Sequence, residues 1–146
     1  MAITVNSSPP TITMDPNQQM SFWPPNHQYQ TVRVTDFVLS ASDSCDPSVD
    51  RSKVYITHIT SDEAENGPGS GNTLNDIVIG ADCKTAQLRA ERETGGNGRV
   101  YTIYFKVKNS AGNFATATAK VTVPKSQNGS GAIDSGPHYT VTSGCP

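Results

Sequence analysis

The sequence lacks the features of several protein classes. Its longest apolar runs are a few residues, far short of the ~20 that a transmembrane helix needs, so we expect a soluble chain with no membrane insertion. It has no cluster of basic residues to hold a nucleic-acid backbone, and its formal net charge is −2, so nucleic acid is not expected as a partner. Residues 1–16 lack the basic and apolar regions of a signal peptide, and none is predicted there.

Catalytic motifs are also missing. His27, His58 and His138 are scattered along the chain, with no HExxH or GxSxG, and the stretch GPGSGNT lacks the Lys-Ser/Thr ending of a P-loop. Glu63 and Glu65 offer two carboxylates for acid/base chemistry on a glycan, but nothing in the sequence places them across a cleft. We therefore expect a protein that is not an enzyme.

Three cysteines bear on the compartment. Cys45 in SDSCDPS and Cys83 in GADCKT each lie beside an aspartate in a predicted loop, and we predict that they form a disulfide. A zinc-thiolate site is less favoured, because it normally uses close pairs such as CxxC and the sequence has none. Cys145 is then left either as a free thiol or to pair outside this segment. A disulfide favours a secreted or cell-surface location.

The clearest periodicity lies in GRVYTIYFKVKNSAGNFATATAKVTVP. Tyr101, Ile103, Phe105 and Val107 alternate with polar residues, as in a half-buried strand, and a second alternating run follows the turn residues NSAGN. The pattern predicts a β-hairpin.

Weaker alternation in QYQTVRVTDFVL, KVYITHIT, NDIVI and AQLRAERE, with an edge strand at PPTIT, adds further strands. Together the predicted strands indicate an all-β domain at residues 9–124, an immunoglobulin-like β-sandwich of about seven antiparallel strands. Residues 1–8 are predicted to be an N-terminal extension and 125–146 a Gly/Ser-rich linker or tail. HYTVTS in that tail is either a last strand or a continuation toward a following module.

Three stretches in order, FWPPNHQYQTVRV, SASDSCDPS and LRAERETGGNGRVYTIYFKVKNSAGNFATATAKVTVP, carry a resemblance to a known family. Over about residues 9–124 the chain resembles the immunoglobulin-like modules, akin to hyalin repeats, of secreted and cell-surface bacterial proteins. The resemblance implies a non-catalytic accessory domain of a longer exported protein, with neighbouring domains of the same polypeptide as its partners. It does not name a ligand.

The aromatic residues allow structural and binding interpretations. Trp23, before two prolines, is predicted to cap the core rather than to form a ligand platform. Tyr101, at the start of a strand, suits a tyrosine corner, in which the hydroxyl bonds to upstream backbone. Tyr104 points away from the apolar face of its strand, so Tyr104 and Trp23 are the candidates for stacking on a glycan.

The polar run DEAENGPGSGNTLND, residues 62–76, is long for a loop within a compact domain. Its carboxylates and amides are ligands that calcium prefers, and Gly67, Gly69 and Gly71 allow tight turns. The predicted calcium ligands are Asp62, Glu63, Glu65, Asn75 and Asp76, joined by Glu91 from the following strand. The alternative is a solvated loop whose acids keep the domain soluble, and the DxDxDG pattern of an EF-hand is absent.

Two functions follow from these observations. The first is a structural spacer or adhesion module, stabilised by a disulfide and calcium, in a larger secreted bacterial protein. The second is a carbohydrate-binding module attached to a glycan-degrading enzyme, with a polysaccharide or cell-surface glycan as its partner. The spacer is favoured, because no cluster of aromatic residues shares one face in the sequence.

Overall fold

The computed structural model describes residues 8–18, 20–65, 74–93, 96–126 and 132–145. Within these ranges the chain is mainly β, as predicted, and no helix there is long and apolar enough to cross a membrane. The strands are β1 (Thr11–Met14), β2 (Met20–Ser21), β3 (Tyr29–Arg33), β4 (Val38–Ser42), β5 (Tyr55–Ser61), β6 (Ile77–Ile79), β7 (Thr85–Arg89), β8 (Arg99–Lys108), β9 (Phe114–Val123) and β10 (Tyr139–Thr142). Two single turns, α1 (Val34–Phe37) and a 3-10 turn (Arg51–Lys53), complete the regular structure.

The strands form three sheets. Five of them lie in the order β10-β5-β8-β9-β2, three in the order β3-β7-β6, and β1 pairs with β4. The pairs are antiparallel except β2 with β9, which is parallel. The inward residues of all three sheets share one hydrophobic core, which includes Val32, Val38, Ile59, Leu88, Ile103 and Phe105.

The predicted hairpin is confirmed as β8 and β9, which pair along ten residues each. Tyr101, Ile103, Phe105 and Val107 are buried, and the residues between them point to the other side of the sheet. On β5 the alternation is interrupted by a register shift between Ile56 and His58, a β-bulge that makes Thr57 an extra residue. AQLRAERE contains β7, so the prediction of a strand there is confirmed.

The side chains that point away from the core on β10, β5, β8 and β9 form what we call the outer face. The strand register aligns them in rows across the sheet: Thr140, Thr60, Thr102 and Lys120, then Thr142, His58, Tyr104 and Thr118, then Tyr55, Lys106 and Thr116, and finally Lys108 and Phe114.

QYQTVRVTDFVL is not a single strand. It divides into β3, the turn α1 and β4, and these two strands belong to different sheets. Asp36 stabilises the turn at this break, because its carboxylate accepts a hydrogen bond from the backbone N–H of Arg33 at 2.8 Å. The turn moves the chain from one sheet to the other.

The predicted Cys45–Cys83 disulfide is wrong. The sulfur of Cys83 is bonded to Cys145, across 62 residues of sequence, while Cys45 is a free, exposed thiol. The prediction failed because it placed Cys145 in a loose tail. The tail in fact returns to the domain, since β10 pairs with β5 and brings the end of the chain to the turn that holds Cys83.

The described part of the tail, residues 132–145, packs on the domain rather than serving as a free linker. The backbone N–H of Ile133 donates to the carbonyl of Asn97 at 3.0 Å, and that of His138 donates to Ser61 at 2.7 Å. Gly98, with a φ of +85°, permits this approach, because a Cβ there would lie 2.8 Å from the side chain of Ala132. The packed structure therefore continues past the boundary predicted at residue 124.

Thiol counting tests the disulfide. The denatured, unreduced protein should expose one thiol, that of Cys45, and three after reduction. Cys145→Ser should lower the free energy of unfolding by about 4 kcal/mol on the chain-entropy model, because the crosslink spans 62 residues. Cys45→Ser is the matched control and should leave stability unchanged, whereas three thiols in the unreduced protein would contradict this pairing.

Candidate functional site

Arg99, the first residue of β8, is completely buried. Its Nε donates to Ser61 Oγ at 2.9 Å and its Nη2 donates to Tyr139 Oη at 3.0 Å. The guanidinium also lies 4.6 Å from the centre of the Tyr101 ring. Arg99 therefore joins β8, β5 and the tail strand β10 at one end of the five-stranded sheet.

Asp76 supplies the charge that balances this arginine. Its Oδ2 lies 2.9 Å from Nη1 of Arg99 in a completely buried ion pair. Burial lowers the pKa of Arg99, but Coulombic attraction, to which Asp76 contributes, raises it above its usual value. Asp76 Oδ1 accepts from Nε of Arg89 at 3.1 Å, so one buried carboxylate lies between two arginines.

Arg89 binds the backbone of two loops beside the Asp76–Arg99 ion pair. Its Nη1 donates to the carbonyl of His27 at 2.8 Å, its Nη2 donates to that of Leu74 at 3.2 Å, and its guanidinium lies 4.1 Å from the centre of the Tyr29 ring. Its own backbone carbonyl accepts from Tyr101 Oη at 2.7 Å. The predicted hydrogen bond from Tyr101 to upstream backbone is thus confirmed.

Glu91 is completely buried beside these groups. Its Oε2 lies 2.7 Å from Nδ1 of His27, and its Oε1 lies 4.0 Å from Nε of Arg89. An imidazole nitrogen and a guanidinium are thus the polar groups nearest this buried carboxylate.

Asp62 and Glu63 mainly satisfy backbone groups. Asp62 accepts from the N–H of Val100 at 2.7 Å and from that of Ser135 at 3.2 Å. Glu63 is buried and accepts from the N–H of Glu93 at 2.8 Å. Burial, reinforced by the nearby acids Glu93 and Asp62, raises the pKa of Glu63 to about 7.

The last two predicted ligands lie at the edges of the loop. Glu65 is half-buried, and burial raises the pKa of the Tyr139 phenol, with a smaller contribution from the negative charge of Glu65. Asn75 is exposed and in the left-handed region at a φ of +58°, and its backbone carbonyl accepts from Tyr29 Oη at 2.5 Å. Between them, residues 66–73, with Gly67, Gly69 and Gly71, lie outside the described residues.

The described carboxylates do not fit a calcium site in this arrangement. Calcium needs six to eight oxygens directed at one point. The oxygens of Asp76 and Glu91 instead face arginine and histidine, and those of Asp62 accept N–H groups. Across the described ranges, no three His, Cys, Asp or Glu side chains are grouped so as to hold a metal ion. Calcium binding stays a prediction.

Of the two predicted stacking residues, Trp23 is not in the core. It is 39% exposed, and its neighbour Phe22 is buried in its place. Tyr104 lies on the outer face, half-buried, with its ring 4.0 Å from that of His58 and nearly parallel to it. One face of the Tyr104 ring is therefore covered. Trp23 follows β2, an edge strand of the sheet that contains Tyr104.

The two arginines were missed by the sequence reasoning, although one signal was available. Arg99 falls in phase with Tyr101, Ile103 and Phe105, on the inward side of β8. A charged residue on an apolar phase predicts a buried ion pair. Asp76, one of the predicted calcium ligands, is the acid that pairs with Arg99.

Comparisons with protein-family models, curated proteins and solved structures found no match to this chain.

Replacing Asp76 distinguishes its role as the counter-charge of Arg99 from the predicted role as a calcium ligand. Asp76→Ala leaves Arg99 buried without its counter-charge, and we expect a loss of about 3–5 kcal/mol in the free energy of unfolding, equally in calcium and in chelator. Glu65→Ala, in the same loop, should cost far less. Denaturant unfolding measures both variants. A loss in Asp76→Ala that appears only when calcium is present would instead make Asp76 a calcium ligand.

Glu63 should make stability depend on pH. Its folded pKa, about 7, lies above its usual value of 4.5, so the folded state binds the extra proton between these values and stability falls as pH rises through them. The loss should approach about 3 kcal/mol at pH 8. Glu63→Gln keeps an oxygen for the N–H of Glu93 and should remove this slope. Parallel slopes in the two proteins would contradict the assignment.

Proposed function

We propose that this chain is an immunoglobulin-like module of a larger secreted or cell-surface protein, in which it acts as a non-catalytic spacer or adhesion domain between neighbouring domains. The two main sheets around one core are consistent with an immunoglobulin-like sandwich. The Cys83–Cys145 disulfide favours an oxidising, extracellular compartment.

The observation that carries this proposal is the double attachment of β10. A disulfide fixes the chain just beyond this strand, and the hydrogen bond from Arg99 to Tyr139 fixes its first residue to the buried ion pair. The ionisable groups at this end of the domain thus hold strands together. A module that connects other domains needs such resistance to unravelling at the place where the chain leaves it.

A second candidate function, glycan binding, is favoured by the outer face. This surface carries threonine hydroxyls in register and two tyrosines, Tyr55 and Tyr104, and the exposed Trp23 adds an aromatic group near β2. Glycan binding is the function expected of an accessory module that attaches an enzyme to its polysaccharide.

Single-molecule pulling from the two termini tests the spacer. With the disulfide intact, the 62-residue segment cannot extend, and reduction should add roughly 200 Å of contour length to each unfolding event. The oxidised protein should also unfold at a higher force than Cys145→Ser, because β10 cannot then peel away first. Equal forces in both would remove the main support for the spacer function, and Cys45→Ser should behave as wild type.

A further inference from the structure

Positive charge is concentrated on the outer face. The five strands of its sheet, all of them described, contain Lys106, Lys108 and Lys120 beside the inward Arg99, and neither Asp nor Glu. The whole chain nevertheless has more acidic than basic residues, 13 against 11. Among the described ion pairs, one carboxylate reaches this face, that of Asp134, which lies 3.0 Å from Lys120.

We propose that the outer face binds a polyanionic polysaccharide, one whose repeating sugars carry carboxylate groups. The proposal rests on the second proposed function, glycan binding, and names its surface and ligand class.

The lysines are spaced along a line rather than gathered in a pocket. Lys106 and Lys108 are two residues apart on β8, about 7 Å, and Lys120 lies opposite Thr102, so that the line is about 20 Å long. The ammonium of Lys106 lies 4.2 Å from the centre of the Phe114 ring, which holds it over the sheet. A linear polymer with repeated anions matches such a line better than a small anion does.

Hydroxyl groups fill the spaces between the charges. Thr116 and Thr118 on β9 and Thr140 and Thr142 on β10 are exposed and belong to successive rows. Each hydroxyl can donate and accept a hydrogen bond, as sugar hydroxyls do. These groups would bind the neutral part of each sugar unit.

Stacking has a smaller part in this surface than ion pairing. Because the His58 ring covers one face of Tyr104, a sugar ring can approach only the other face, toward Thr118, or the edge. Recognition therefore depends on charge and hydroxyl groups, unlike a site built from several free aromatic faces.

Two other polyanions fit less well. A nucleic acid is held tightly through about 6–10 phosphate contacts, and this face has three lysines. An acidic peptide would be expected to add to a free strand edge, whereas β8 and β9, which carry the lysines, have partners on both sides.

Polygalacturonate and its fully methyl-esterified form are the matched probes, because they share a backbone and differ in charge. At low salt we expect the folded protein to bind polygalacturonate at least about tenfold more tightly than the ester in titration calorimetry, with affinity falling as salt screens the lysines. Lys106→Gln/Lys108→Gln should weaken binding by about fivefold to tenfold, since exposed pairs are individually weak. Arg51→Gln/Lys53→Gln, on exposed residues of the 3-10 turn, removes the same charge and should have no effect.

The possible failures differ in what they overturn. Equal binding of both probes, lost in Tyr104→Ala, would overturn the anionic ligand but keep glycan binding. No binding of either polysaccharide would overturn the inference and the second function together, and leave the spacer standing. Equal losses in the two double variants would show non-specific attraction, and tighter binding of single-stranded DNA or polyglutamate would assign the face to another class of ligand. Melting curves of each variant confirm that it is folded.

Discussion

A guanidinium group without access to water must find partners for its N–H groups and a balancing charge, and Arg99 imposes this requirement on the whole end of the domain. Ser61 on β5, Tyr139 on β10 and Asp76 before β6 each meet part of it. Each partner comes from a different segment. Arg99 can be buried with all its partners only when these segments pack together. The hydrogen bonds of Arg99 and the closure of this end of the domain therefore depend on each other.

Asp76 extends the same constraint to the smaller sheet. Its second oxygen binds Arg89 at the end of β7, and Arg89 in turn holds the carbonyls of His27 and Leu74. Burying an ion pair gains little free energy compared with apolar groups of the same size, but leaving one partner alone costs much more. The network therefore specifies which loops meet at this end rather than adding much stability of its own.

Local patterns predicted the strands better than they predicted the partners. Alternation identified β5, β7, β8 and β9, because each has one face in the core and the period of two is visible in the sequence. The disulfide failed because the partner of Cys83 depends on where the tail returns, which is a property of tertiary structure. The partners of the acidic residues likewise depend on tertiary structure: Asp76 pairs with Arg89 and Arg99, 13 and 23 residues away along the chain, and Glu91 lies beside Arg89 and His27, 2 and 64 residues away. Trp23 was misplaced because Phe22, next to it, occupies the apolar position.

The bulge at Thr57 has a consequence for folding. Tyr55 and His58 lie three residues apart yet on the same face, and a slip of one residue in the pairing of β5 with β8 would turn Ile56 and Ile59 toward water. Because the extra residue fits at only one place along the ladder, the two strands have a single alignment that buries both isoleucines. The bulge thus fixes the register of β5 with β8. It discourages misaligned pairing of β5 with β8, the strand that also carries the long hairpin to β9.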